Sequence, residues 1–149
     1  MNISEVNIKT INYVALETNA SRIQALYDGK EIGHIVLSEI YDDSNYSPEF
    51  DGKEVFDFVE NFLLTKYDFF YSLDYLFVEP EYRLCGISDL LLKYLQNHYR
   101  NKPILLCISS YSVNNDLKKQ MNSKILPTLY KKYGFKQIMK TNYYCNVNA

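Results

Sequence analysis

One segment restricts the fold more than any other. An apolar strand, Leu73 to Val78, runs into a turn marked by Pro80, and an apolar helix from Asp89 to Tyr99 follows. After Pro103, Ile104 to Ser109 is a continuous apolar run, the pattern of a strand buried on both faces. Strand, loop, helix and strand in that order predict a right-handed βαβ crossover. The loop reads Val78-Glu79-Pro80-Glu81-Tyr82-Arg83-Leu84-Cys85-Gly86-Ile87-Ser88. The first backbone N–H groups of a helix have no partner inside it and point outward. Together with the helix dipole they favour a phosphate at this loop.

Antiparallel elements are expected around that unit. Val6 to Glu17 has strand character. Arg22 to Tyr27 and Glu31 to Ile40 read as two strands joined at Asp28-Gly29, a strong hairpin signal. Gly33 inside the second of these marks a bulge or a close approach of another backbone. Tyr41 to Gly52 is polar and contains Pro48, which predicts a loop. Val55, Phe58, Val59, Phe62 and Leu63 recur at helical spacing within Glu54 to Thr65. Tyr111 to Asn122 is polar and has no clear period. Leu126 to Tyr133 predicts a short helix that tolerates Pro127 in its first turn and stops at Gly134. Phe135 to Ile138 and Asn142 to Val147 are the last two expected strands.

At 149 residues the chain fits one domain, 1–149, with a core of its own. No apolar run approaches the roughly 18 residues of a membrane span, and Met1 to Glu5 lacks the segments of a signal peptide. Cys85, Cys107 and Cys145 are an odd number without tight spacing. A disulfide framework or a metal site is therefore not expected, and a reducing cytoplasm is. His34 and His98 also lack metal-ligand spacing and read as structural. Residues 1–74 carry 5 Lys+Arg against 14 Asp+Glu, and residues 75–149 carry 11 against 4. Such a division is either a matter of solvation or a cleft with an anion end and a cation end. Lys118, Lys119, Lys131 and Lys132 read as solvated faces or as attraction for a phosphate, so nucleic acid is not the expected partner.

Two motifs carry a family resemblance. Arg83-Leu84-Cys85-Gly86-Ile87-Ser88 resembles the phosphate loop of the Gcn5-related N-acetyltransferase (GNAT) superfamily: Arg or Gln, two residues, Gly, one residue, then a small residue. Val78-Glu79-Pro80 resembles the end of the family's preceding strand. Tyr130-Lys131-Lys132-Tyr133-Gly134-Phe135 resembles its later Tyr-x-x-x-Gly-Phe helix. The resemblance covers about Leu73 to Ile138.

The resemblance implies an α+β fold: a mixed, mostly antiparallel sheet with splayed central strands and flanking helices. It implies acetyl-coenzyme A as cosubstrate and no metal. Arg83, Leu84, Cys85, Gly86, Ile87 and Ser88 would hold its pyrophosphate, largely through backbone N–H groups. Phe77 and Val78 would offer backbone groups to the pantetheine and acetyl ends, and Tyr130 would act as general acid. The chain departs from the family in one large respect. The stretch Glu17 to Ser21 is too short for the two helices that usually join its first two strands. Those helices shape the acceptor site, so acceptor identity is not inherited.

Acetyl transfer needs a polarised carbonyl, a neutral amine and a proton for the departing thiolate. The Val78 N–H would serve the first. A phenol of pKa near ~10 stays protonated at neutral pH and can donate to a thiolate of pKa near ~8.5. Asp74 or Glu39 would take the amine proton, with Asp74 the nominated residue; each also reads as a solvated or paired carboxylate. Tyr130 equally reads as an ordinary core tyrosine, and Arg83 as a surface ion pair. Cys85 is either reactive at the helix start or a small semi-buried residue. The expected activity is N-acetyl transfer to a primary amine, with a cationic acceptor favoured by the acidic first half. The alternative is a binding or interaction module that keeps the fold without catalysis. Apolar residues on Glu54 to Thr65 or the final strand would serve a homodimer.

Overall fold

In the computed structural model the described residues are 1–42, 52–108 and 125–148. The strands are β1 (Asn7–Ala15), β2 (Thr18–Tyr27), β3 (Lys30–Ile40), β4 (Phe70–Val78), β5 (Ile104–Cys107), β6 (Lys136–Gln137) and β7 (Tyr143–Cys145). The helices are α1 (Gly52–Phe58), α2 (Leu64–Lys66), α3 (Ile87–His98) and α4 (Ile125–Lys132), with a π turn, Val59–Leu63, joining the first two. The strands form a seven-stranded sheet in the order β1-β2-β3-β4-β5-β7-β6. The fold is α+β and mostly antiparallel. The chain groups into two compact units, Met1–Glu39 with Ser72–Arg100, and Ile40–Tyr71 with Asn101–Ala149.

In the first unit two tight turns set the register. Asp28 and Gly29 take φ of 51° and 75°, the paired positive values of the expected two-residue hairpin. Leu16 and Glu17 do the same, at 50° and 64°, and close a hairpin between β1 and β2 that no Gly or Asn announces. The strand expected at Arg22 therefore begins at Thr18, and the one expected to reach Glu17 ends at Ala15.

Gly33 is both things its position suggested. The register of β2 on β3 shifts at Ala25/Leu26, opposite Gly33 and Glu31. A Cβ on Gly33 would also stand 3.0 Å from the Phe77 carbonyl oxygen, 3.1 Å from Ile87 Cγ2 and 3.5 Å from Leu91 Cδ1. Directly opposed residues share a face, so the pairs Ala25–Gly33, Ile23–Ile35 and Ser21–Leu37 share the α3 face. Ile23, Ala25, Ile35 and Leu37 are fully buried there. Helix α3 answers with Ile87, Leu91, Leu92 and Leu95. Its stripe follows from the 3.6-residue period.

The second unit has its own core. Val55, Val59 and Leu63 recur every four residues along α1 and the π turn, and they pack with Ile40, Phe70, Leu105, Ile138, Tyr143 and Cys145. The helix expected over Glu54 to Thr65 is thus present, but its middle is wound with one more residue per turn. Strand β7 pairs antiparallel with both β5 and β6, and the two final strands are shorter than the sequence suggests. Helix α4 ends in Gly134 at φ 93°, as expected. Most of Tyr41 to Gly52, all of Tyr111 to Asn122, including Lys118 and Lys119, and Ser109 lie outside the described residues.

Gly33→Ala is expected to destabilise the protein by about 1–3 kcal/mol, because a backbone oxygen cannot swing aside as a side chain can. Denaturant unfolding measures it; a midpoint equal to the parent's would contradict the close approach.

Candidate functional site

The phosphate-type loop is seated by β3. The Glu79 N–H donates to the Ile32 carbonyl at 2.8 Å. Backbone groups alternate sides along a strand, so those of Phe77 also face β3, and its carbonyl stands over Gly33. The backbone groups of Val78 consequently face away from β3. Pro80 then starts a single 3-10 turn, Pro80–Tyr82, closed by the Tyr82 N–H on the Glu79 carbonyl at 2.9 Å.

Arg83 folds back on the strand it has just left. Its Nε donates to the Val78 carbonyl at 3.0 Å, and its guanidinium lies 5.8 Å from the centre of the Phe77 ring. Leu84 takes a positive φ of 63°, and its side chain is fully exposed. Cys85 is exposed as well. Gly86, at φ 86°, caps α3 without a side chain. The first helical bond is the Leu90 N–H to the Gly86 carbonyl at 3.1 Å. The N–H groups of Ile87 and Ser88 precede it, so no helical carbonyl takes them. The helix start therefore keeps its donor capacity and its positive dipole end.

Asp74 sits at an irregularity that the sequence did not announce. Both Ser38 Oγ and Ser72 Oγ donate to its carboxylate, the latter at 2.8 Å. The His34 and Phe77 rings lie 5.5 Å apart. His34 and Ser38 are four apart on β3 and share a face. Asp74 and Phe77 contact that same face although they are three apart, which a regular strand forbids. Asp74 and Tyr75 are both exposed between the more buried Leu73 and Leu76. An extra residue, a β-bulge, accounts for all of this and turns both side chains outward.

Tyr130 belongs to the second unit. It is buried and meets the Phe135 ring edge-on at 5.8 Å. Its hydroxyl makes no hydrogen bond among the described residues, and burial pushes the phenol above the usual tyrosine range. It therefore holds its proton at every physiological pH. Ser123 and Asn122, just before this helix, lie outside the described residues. Glu39, the other base considered, accepts from Asn19 Nδ2 at 3.1 Å.

The sequence reading missed one polar cluster altogether. On the face of β2 and β3 opposite α3, Arg22 grips Glu31 with two bonds, Nε to Oε1 and Nη2 to Oε2, each 2.7 Å. Gln24 donates to the same carboxylate at 3.0 Å, and Arg22 Nη2 also lies 3.1 Å from His34 Nδ1. Hydrogen bonding from Arg22 holds the Glu31 carboxyl down at about 2. Burial pulls the His34 imidazole below its usual range, with the Arg22 charge adding to the effect. These residues are scattered over thirteen positions, and only the hairpin register assembles them.

Among the described residues no cluster of His, Cys, Asp or Glu could hold a metal ion, and no helix is long and apolar enough to cross a membrane. None of the three cysteines is in a disulfide among the described residues. A sequence model of the acetyltransferase (GNAT) domain matches residues 13–137. Comparison with curated proteins gives no match. Among solved structures, the chain is similar to the Bacillus subtilis N-acetyltransferase YlbP in complex with coenzyme A. Identity is 15%, the TM-score is 0.48, and the match covers 85% of this chain and 67% of that one.

Glu31 has a depressed pKa, so its pairing with Arg22 contributes stability above its ordinary value of 4.5, and that contribution is lost as pH falls toward about 2. Glu31→Gln is expected to cost on the order of 1–2 kcal/mol at pH 7, after allowing for partial exposure. Between pH 4.5 and 2 its unfolding curve should change less with pH than the parent's. Parallel acid limbs for the two proteins would disprove the assignment.

Proposed function

Because the chain belongs to the GNAT acetyltransferase family, we propose that residues 1–149 act as one acyltransferase domain, in the cytoplasm, moving acetyl from acetyl-coenzyme A to a primary amine by direct transfer. The observation that carries this reading is the start of α3. In a chain of this family, the loop at the expected place ends in a left-handed Gly86 and leaves the Ile87 and Ser88 N–H groups uncapped. A diphosphate fits such a terminus by charge and by hydrogen bonding. The side chains of Leu84 and Cys85 leave the backbone clear, since both are exposed.

The cosubstrate supplies a thioester whose acyl carbon is attacked by a neutral amine. Each residue then has one task. The segment Arg83 to Ser88 binds the pyrophosphate, with the Arg83 side chain fixing the loop on Val78 while backbone N–H groups do the holding. The Val78 N–H, which faces away from β3, donates to the carbonyl oxygen as it gains charge. Phe77 contributes its ring more than its backbone, which is turned to β3. Tyr130, whose buried phenol keeps its proton, is the general acid for the departing thiolate. Asp74, steadied by two serine hydroxyls, draws a cationic amine and takes its proton. A cationic acceptor agrees with the acidic composition of residues 1–74.

Titration calorimetry is expected to show saturable binding of coenzyme A, and its absence would end this reading. In a thiol-release assay over primary amines, Tyr130→Phe should lower kcat by about a hundredfold with little change in coenzyme A affinity. Full activity in that variant would remove Tyr130 from the chemistry.

A further inference from the structure

Ahead of β1, Ile3–Glu5 form a 3-10 turn. Its own residues specify it. Asn2 Oδ1 accepts from the Ser4 N–H at 3.1 Å and from Ser4 Oγ at 2.9 Å. The Glu5 and Val6 N–H groups close on the Asn2 and Ile3 carbonyls at 3.0 and 3.1 Å. Ordering a turn costs conformational entropy, yet none of its residues is buried in return. The turn also precedes residues 13–137, the stretch that carries the family likeness. Neither the core nor the family pattern accounts for it.

What the turn meets is the phosphate-type loop, which belongs to the same unit. Ile3 Cδ1 stands 3.0 Å from the point where a Cβ of Gly86 would lie. Among the described residues, and apart from the chain neighbours of Gly86, no other atom comes within 4 Å of that point. Ile3 is thus the cover on the side-chain side of Gly86. At φ 86° this glycine holds a left-handed conformation, and having no Cβ it populates other regions about as readily. The rest of the loop is propped from elsewhere. The Tyr82 ring meets the Tyr27 ring at 6.1 Å, Arg83 is tied to the Val78 carbonyl, and Ile87 sits over Gly33. Leu84 and Cys85 are exposed, which leaves Ile3 to hold the last residue before α3.

We propose that Ile3 is a positioning residue for coenzyme A: it keeps Gly86 left-handed, and so keeps the Ile87 and Ser88 N–H groups aimed at the diphosphate before the ligand arrives. Without Ile3 the hinge at Gly86 lets the loop spend most of its time in other conformations. Affinity then falls with the fraction of molecules still ready to bind. The chemical step is untouched, because the acyl group lies at the other end of the cosubstrate from its pyrophosphate. The inference rests on the acetyl-coenzyme A reading above and adds to that site a residue outside the matched stretch.

The test is calorimetric titration of coenzyme A into the full chain and its Ile3 variants, with hydrogen exchange on the unliganded proteins. Ile3→Ala is expected to weaken binding about fourfold, the worth of one buried methylene. Where turnover is measured, KM for acetyl-coenzyme A should rise by the same factor at unchanged kcat. Ile3→Val removes the one methyl that reaches Gly86 and should act in the same direction, even if the alanine variant fails to fold. Ile3→Leu keeps a methyl of similar reach and should bind within about twofold of the parent. The Leu90 N–H, bonded to the Gly86 carbonyl at 3.1 Å, reports on the hinge without any ligand. Its exchange should quicken at least about fourfold in Ile3→Ala, while amides in the core of the unit stay as protected as in the parent. Parent-like affinity in both Ile3→Ala and Ile3→Val, or unchanged Leu90 exchange in Ile3→Ala, would overturn the inference and leave the coenzyme site standing. A uniform loss of protection across the unit would overturn it too, since Ile3 would then serve stability alone. If the parent itself binds no coenzyme A, the acetyltransferase reading falls and takes the inference with it.

Discussion

The end of β4 is pressed onto β3 at a place where β3 has no side chain. The Phe77 carbonyl stands where a Cβ of Gly33 would be crowded, and the Glu79 N–H reaches the Ile32 carbonyl two residues on. From that point the chain has few choices. Pro80 limits the turn, Arg83 is drawn back to the Val78 carbonyl, and Gly86 supplies the positive φ from which α3 departs. Ile87 and Leu91 come down on the same glycine. A single missing methyl group thus serves strand, loop and helix together, and the aim of the helix start depends on it.

Arg83 illustrates how position outweighs charge type. A cation in a phosphate loop invites the reading that it binds the phosphate directly. Its Nε is instead committed to a backbone carbonyl, and its planar head lies on an aromatic ring. In that pose the side chain acts as a strut. It fixes the spacing between the strand end and the helix start.

Features set by neighbours in sequence were legible; features set by register were not. Asp28-Gly29, the stripe of α3, Gly134 as a helix stop and the strand-loop-helix unit all follow from local spacing. Gly33 announced itself because a glycine in an apolar strand needs a reason. The Leu16-Glu17 turn gave no such sign, since its two residues take left-handed conformations that favour Gly or Asn. The bulge at Asp74 and Tyr75 was invisible for another reason: nothing in the string Leu73-Asp74-Tyr75-Leu76 marks an extra residue, and only the contacts of Ser38 and His34 reveal it. Arg22, Gln24, Glu31 and His34 look like ordinary strand polar residues until the hairpin brings them together.

That cluster bears on why the first unit forgoes helices between its first two strands. Two helices in that position would supply an acceptor site with side chains of their own, whereas a two-residue turn supplies none. Arg22 and Glu31 form the kind of partly buried ion pair whose attraction is offset by its desolvation, so stability alone is a weak reason for it. What the pair does achieve is geometric. It holds His34 through Nδ1, which lies 3.1 Å from Arg22 Nη2 and 3.4 Å from Glu31 Oε2, on the face that also carries Asp74.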